Sequence, residues 1–223
     1  MNVKIPATLK PQCSQDNALF GKNKDGGYLL KLQAVVASTY FVGGGVATSW
    51  DFELDIKKLN KSISIDLFDH TISPKLFLFR SVQCRDLSLF KACIKMLRDF
   101  YWKKQIKIHY KKIEPKSYFT SLLQREKSIV KIDIEGDEYV MLDEIILYQK
   151  NMNILIIEFH DVSKHIEAIQ NFNNFLKKNF HITYINANNY SNVENSLPSY
   201  LEVVWTNNRF KNLPSFQIAN NPN

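Results

Sequence analysis

Asn153-Ile154-Leu155-Ile156-Ile157-Glu158-Phe159 is apolar at every position but its first and sixth. An uninterrupted run of this kind suits a strand covered on both faces, as in a parallel sheet with helices on either side. A half-exposed antiparallel strand would alternate apolar and polar residues instead. Upstream, Ser128 to Ile134 reads as a strand ending in Glu135-Gly136, and Tyr139 to Leu147 as a helix after it. Downstream, Ile166, Ile169, Phe172 and Leu176 recur at helical spacing.

The alternation continues toward the N-terminus. Thr39 to Val42 is a β-rich run that stops at Gly43-Gly44-Gly45. Phe52, Ile56 and Leu59 then mark a helix beginning near Thr48 or Ser49, and Ile63 to Phe68 is the next strand. Tyr28 to Leu32 is a short apolar piece behind the turn signal Asp25-Gly26-Gly27. Leu87, Phe90, Ile94, Leu97 and Tyr101 step by threes and fours as an amphipathic helix, and aromatic residues at such spacing read as core. Leu76 to Val82 has strand character. Ile106 to Ile113 alternates apolar with basic residues, so either segment fits the third core strand. His181 to Ile185 and Tyr200 to Trp205 are two late strands with no helix between them. The pattern predicts an open α/β sheet, mostly parallel, with helices on both faces and an antiparallel closing hairpin. One domain over residues 1–223 is expected, with residues 1–20 as an N-terminal segment and 207–223 as a frayed tail.

Composition narrows the class. The 223 residues are 45% hydrophobic, so a disordered chain is excluded. No apolar run approaches the roughly 20 residues that span a bilayer, and Met1 to Lys10 lacks the apolar core of a secretory signal. Cys13, Cys84 and Cys93 show no metal-ligand spacing and read as reduced thiols of a cytoplasmic protein. The net charge of +7 is spread along the chain, densest from Lys103 to Lys116. No zinc pattern, basic heptad or aromatic RNA-binding signature accompanies it, so no nucleic acid is expected. A solvated strand face and a surface for an anionic polymer both account for the charge.

The glycine turn sits between strand and helix, where open α/β sheets bind nucleotide-type cofactors. An acid about 20 residues on commonly holds a ribose diol. Asp69 fits that place, with Asp66 further back along the strand as the alternative. The dinucleotide pattern G-x-G-x-x-G fails at its third glycine, where Thr48 stands, and Asp51 and Glu53 fall in the first helical turn. A pyrophosphate wants that helix end bare. S-adenosylmethionine carries a sulfonium and an amino group that acids tolerate, so a methyl donor fits better than NAD(P). Two carboxylates there also simply complement the helix dipole.

A second cluster lies further on. In Lys131-Ile132-Asp133-Ile134-Glu135-Gly136 the side chains of Lys131, Asp133 and Glu135 share one strand face. Ile156, Glu158 and His160 share another. If the two strands are neighbours, Asp133, Glu135, Glu158 and His160 line one pocket at the carboxyl edge of the sheet, where ligands bind. Structural roles as helix caps or partners of Lys131 remain the alternative. His160 is the candidate general base, because imidazole titrates near neutrality, with Glu158 orienting it. Asp133, Glu135 and Glu158 are also candidate ligands for Mg²⁺ or Mn²⁺. Asn188 and Asn189, between the last strands, offer donors and acceptors to a bound substrate or else form a turn. His70 either touches the adenosine or ends a strand.

Lys131-Ile132-Asp133-Ile134-Glu135-Gly136-Asp137-Glu138 resembles the signature of FkbM-type methyltransferases, which depend on S-adenosylmethionine. The resemblance extends in order to Asp25-Gly26-Gly27-Tyr28, Gly43 to Glu53, and Phe68-Asp69-His70-Thr71. It resumes at Ile157-Glu158-Phe159-His160-Asp161, Ala187-Asn188-Asn189-Tyr190, Leu197-Pro198 and Leu201-Glu202. Asn186 stands where such proteins often carry His, and Ile72 to Lys112 carries no family landmark. The resemblance implies a seven-stranded, Rossmann-like sheet and an O-methyltransferase acting on a sugar hydroxyl of a glycan or glycoconjugate. It also implies that Gly43 and Gly45 approach the methionine end of the cofactor, that Asp69 holds the ribose, and that Asp25 and Gly26 lie near the same pocket. An NAD(P)-linked enzyme on a similar sheet, and a non-catalytic cofactor-binding protein with a basic polymer-binding face, are the competing readings.

Overall fold

The computed structural model describes residues 4–12, 16–22, 26–46, 49–85, 87–102, 106–187, 193–194 and 196–213, except for the side chains of Phe77, Tyr101 and Trp102. An antiparallel pair, β1 (Asn17–Phe20) and β2 (Tyr28–Lys31), and a short helix α1 (Leu32–Val36) precede the central sheet. The sheet's parallel strands are β3 (Tyr40–Gly44), β4 (Ser64–Phe68), β5 (Lys107–His109), β6 (Ser128–Ile132), β7 (Met152–Phe159) and β8 (Phe180–Ala187). After β8 come a two-residue ladder of β9 (Val193–Glu194) with β10 (Leu197–Pro198), and then β11 (Leu201–Asn207). The spatial order is β5-β4-β3-β6-β7-β11-β8, with β11 antiparallel to both neighbours. The chain thus steps outward from β3 through β4 to β5 and returns to the other side at β6. That reversal makes a topological switch point at the carboxyl ends of β3 and β6, the crevice where ligands bind in open α/β sheets.

All eight residues of β7 are buried, and side-chain parity explains why. Leu155, Ile157 and Phe159 enter the core on one face, with Phe119, Ile145, Phe172 and Trp205. Ile154 and Ile156 enter the core on the other, with Phe41, Phe52, Ile56 and Met96. The first core is covered by α5 (Tyr118–Leu122), α6 (Leu142–Tyr148) and α7 (Val162–Leu176). The second is covered by α1, α2 (Asp51–Leu59) and part of α4 (Leu87–Met96). The Trp205 ring meets Phe172 edge-on at 5.7 Å, and its indole N–H donates to Asn173 Oδ1 at 3.0 Å.

Several elements depart from the pattern-based reading. Leu76 to Val82 is helical, inside α3 (Pro74–Gln83). Ser73 caps it by accepting from the Leu76 amide at 3.1 Å, and Pro74 occupies the first turn. The third core strand is therefore β5, only three residues long. Helix α2 starts at Asp51 behind Trp50, without a side-chain cap; Ser49 donates instead to Asp51 at 3.1 Å, and Thr48 lies outside the described residues. The long amphipathic helix divides into α4 and a π-helical stretch, Leu97–Trp102. The first part of its stripe faces outward, with Leu87 74%, Phe90 43% and Ile94 45% exposed, so Phe90 is not core, while Leu97 packs against the second core. The helix read over Tyr139 to Leu147 begins as a 3₁₀ turn, Glu138–Met141. Past Asn207 a 3₁₀ turn, Asn208–Phe210, buries Phe210.

Candidate functional site

Strand β3 ends in a turn that only glycine fits. Gly45 has φ +76°, and a Cβ there would lie 1.5 Å from the Asp133 carbonyl oxygen. The Asp133 amide in turn donates to the Gly44 carbonyl at 3.0 Å, locking the two strand ends together at the switch point. A cavity opens on each side of this junction, and Gly45 and Asp133 line both.

The first cavity, about 160 Å³, is walled by Phe68, Asp69, His70, Thr71 and Ile113. Asp69 is 6% exposed; one carboxylate oxygen accepts the Val46 amide at 3.0 Å, the other the Thr71 amide at 2.7 Å and hydroxyl at 2.6 Å. Asp66 lines neither cavity. It accepts from the Tyr40 hydroxyl and pairs with His109 Nε2, both at 2.5 Å. Gly43 also lies off the cavities, where the Phe41 ring and Leu67 fill the space a Cβ would take. Of the two aspartates, Asp69 alone lines one of these cavities.

The second cavity, about 130 Å³, is lined by Gly26, Val46, Asp51, Glu53 and Lys131 besides the shared pair. Asp51 pairs with Lys95 at 2.6 Å and Lys22 at 3.0 Å. Partial burial opposes its charge, but those two ammonium groups outweigh it and hold the carboxyl well below the usual range. Glu53 is buried, and burial pushes its carboxyl up despite Lys131. Burial works against charge on Lys131 as well, yet Asp133, Glu53, Glu158 and Glu202 together raise its pKa. Of these carboxylates Glu53 and Asp133 line the cavity with Lys131, as do Asp51 and the Lys22 that pairs with it.

Beyond Asp133 the edge continues into β7. One ligand atom each from Asp133, Glu158 and His160 lie within 4.8 Å of one another, with Glu158 and His160 buried. The expected meeting of the two polar strand ends is present. Glu135 sits at its rim, at φ +57°, with an exposed carboxylate 3.5 Å from His160 Nε2. Glu158 is opposite Glu202 in the β7–β11 register, and Glu202 accepts from the Asn186 side-chain Nδ2 at 2.9 Å. Asp25, Asn188 and Asn189 lie outside the described residues.

Pattern reading assigned no role to Glu138. Its side chain is fully buried, and one carboxylate oxygen takes the Ile134 amide at 3.2 Å, the Gly136 amide at 3.0 Å and His160 Nδ1 at 2.6 Å. Burial lowers the His160 pKa, but the Glu138 hydrogen bond and the charges of Glu138, Asp133 and Glu158 prevail and push it up to about 9. The available signal was an acid opening a helical turn just after a Gly, where free amides need an acceptor.

No protein-family model matches the chain, and no curated protein matches it. Similar solved structures include a fibrillarin pre-rRNA processing protein from Methanococcus jannaschii, at 10% identity and a TM-score of 0.45, covering 86% of this chain and 82% of that one. A precorrin-6y C5,15-methyltransferase from Geobacter metallireducens is 8% identical with a TM-score of 0.45, covering 78% and 83%. A predicted O-methyltransferase from Agrobacterium tumefaciens is 8% identical with a TM-score of 0.40, covering 79% of each.

Proposed function

We propose that this chain is an S-adenosylmethionine-dependent O-methyltransferase of FkbM type whose acceptor is a sugar hydroxyl of a glycan or glycoconjugate. The observation that carries the reading is the pair of lobes joined at Gly45 and Asp133. One holds a buried aspartate at the place of a ribose-binding acid, and the other sets Asp51, Glu53 and Asp133 against Lys22 and Lys131. A sulfonium cofactor with an amino group suits that charge pattern. A dinucleotide's pyrophosphate does not, because Asp51 and Glu53 occupy the first turn of α2. The carbohydrate acceptor rests on the ordered resemblance of the segments around Asp133, Glu158 and Leu197, and Gly43 keeps only an indirect role behind the turn.

S-adenosylmethionine would supply a methyl group open to in-line displacement by an oxygen about 3 Å away. Asp69 would accept from the ribose, while Asp133 and Glu53 would face the cationic end. His160 would take the acceptor's proton, with Glu138 positioning the ring and Glu158 receiving a substrate hydroxyl. At neutral pH the free imidazole is charged, so it becomes a base only where a cationic cofactor beside it lowers its affinity for protons.

The cluster of Asp133, Glu158 and His160 favours a second reading, in which these three hold a divalent cation that supplies Lewis-acid activation of the hydroxyl. Glu138 on Nδ1 would then fix the tautomer that leaves Nε2 free to ligate. An imidazole in the set shifts preference from Mg²⁺ toward Mn²⁺.

Incubation with methyl-labelled S-adenosylmethionine and a panel of sugar acceptors tests the proposal. Label in a sugar methyl ether supports it; turnover only with a non-carbohydrate acceptor keeps the methyltransferase and removes the sugar.

A further inference from the structure

The hairpin of α3 and α4 leaves large apolar side chains exposed on both helices. On α3, Leu76, Leu78, Phe79 and Val82 are 38%, 47%, 65% and 72% exposed, and among the described side chains of that helix only Ser81 is buried. On α4, Leu87, Phe90 and Ile94 form the outer stripe, while Cys93 and Met96 face inward. Leu87, Phe90 and Ile94 share one face of α4, while on α3 Leu78, Val82 and Phe79 lie side by side with Leu76 next to Phe79. Seven large apolar side chains on two adjoining helices form a patch of a kind that isolated soluble surfaces rarely carry.

The charges around the patch have one sign. Between Pro74 and Arg98 the chain carries Lys75, Arg80, Arg85, Lys91, Lys95 and Arg98 against a single acid, Asp86. Lys95 and Arg98 are engaged by Asp51 and Asp99. Lys75, Arg80, Arg85 and Lys91 are exposed and form no ion pair among the described residues, and Lys91 lies on the same helix face as Leu87 and Ile94. A second copy seated by a two-fold axis would oppose these cations to one another. A partner that takes both apolar side chains and cations is an anionic lipid surface, where apolar groups enter the acyl boundary and Lys and Arg meet headgroups.

We propose that the α3–α4 hairpin is a docking element for an anionic membrane surface. It springs from the loop carrying Asp69 and Thr71, and Lys95 ties α4 to Asp51 of the second cavity, so docking would bring the crevice close to the lipid headgroups. The inference does not depend on the methyltransferase reading.

Flotation of the whole protein with phosphatidylcholine vesicles, with and without about 30% phosphatidylserine, tests it. Binding is expected only to the anionic vesicles, and it should fall at about 0.5 M NaCl. The double variant Phe79→Ser/Leu87→Ser should lose roughly tenfold or more of the partition, and Lys75→Glu/Lys91→Glu a comparable part. Both variants should keep the wild-type melting temperature, because these side chains are exposed. No flotation with either vesicle, or anionic binding that the two variants leave unchanged, would overturn the proposal. So would a concentration-dependent dimer in sedimentation that Phe79→Ser/Leu87→Ser abolishes, since the face would then belong to a second copy.

Discussion

The buried Glu138 carboxylate lies 2.6 Å from Nδ1 of His160 and, through the same oxygen, holds the amides of Ile134 and Gly136. One side chain therefore fixes both the turn after β6 and the imidazole at the end of β7. His160 is raised to about 9 by this contact and by the neighbouring carboxylates, against the effect of burial.

A group raised above its ordinary value stabilises the fold fully below that value and loses the contribution as pH rises through the folded pKa. The His160–Glu138 pair should accordingly stabilise the protein below about pH 6.5, and the contribution should disappear as pH passes about 9. Thermal unfolding across this window, for wild type and Glu138→Gln, is the check. The wild-type melting temperature should fall more steeply on the alkaline side.

The same substitution should move the pH profile of kcat/KM. If the imidazole is the base, the rate rises with pH until His160 is neutral. Glu138→Gln removes a raising influence, so the inflection should shift to lower pH while maximal turnover drops about tenfold or more through lost positioning. An unchanged inflection would separate His160 from the proton transfer.

Much of this fold could be read from side-chain periodicity, because β7 and its neighbours are buried on both faces and their apolar runs say so. The meeting of Asp133 with Glu158 and His160 followed from alternation along two adjacent strands. Leu76 to Val82 misled because a short apolar run fits strand and helix alike, and a capping Ser73 and Pro74 decided it. The stripe from Leu87 to Ile94 misled differently: period reveals a helix face but not what covers it. Glu138 was hidden because its value lies in two backbone amides and a ring more than 20 positions away.

Gly45→Ala should be severe. It forces a side chain into the left-handed region, a cost of about 1–3 kcal/mol, and drives a Cβ into the Asp133 carbonyl. A lowered melting temperature with loss of cofactor binding is expected from calorimetry. Gly26→Ala, where a Cβ meets open space, should retain the core and pay only the backbone strain.

Charge in the second lobe gives a further test. On the proposed binding mode, Asp133→Asn removes one carboxylate facing the cationic end of the cofactor and should weaken S-adenosylmethionine by about tenfold, a difference of roughly 1.4 kcal/mol. Uncharged S-adenosylhomocysteine sulfur should feel the change less, so the ratio of the two affinities is the readout.

Mn²⁺ titration followed by electron paramagnetic resonance addresses the donor set directly. Binding that is lost in Glu158→Gln and weakened in Glu138→Gln would favour the metal reading. Wild-type turnover that survives a chelator would favour His160 acting as a base alone.

Calorimetric titration with S-adenosylhomocysteine, alongside NADH, tests the central claim most directly. The two-lobed crevice predicts micromolar binding of S-adenosylhomocysteine, no binding of NADH, and a loss of affinity in Asp69→Ala that exceeds any change in melting temperature. Binding of NADH alone, or S-adenosylhomocysteine affinity indifferent to Asp69, would contradict it.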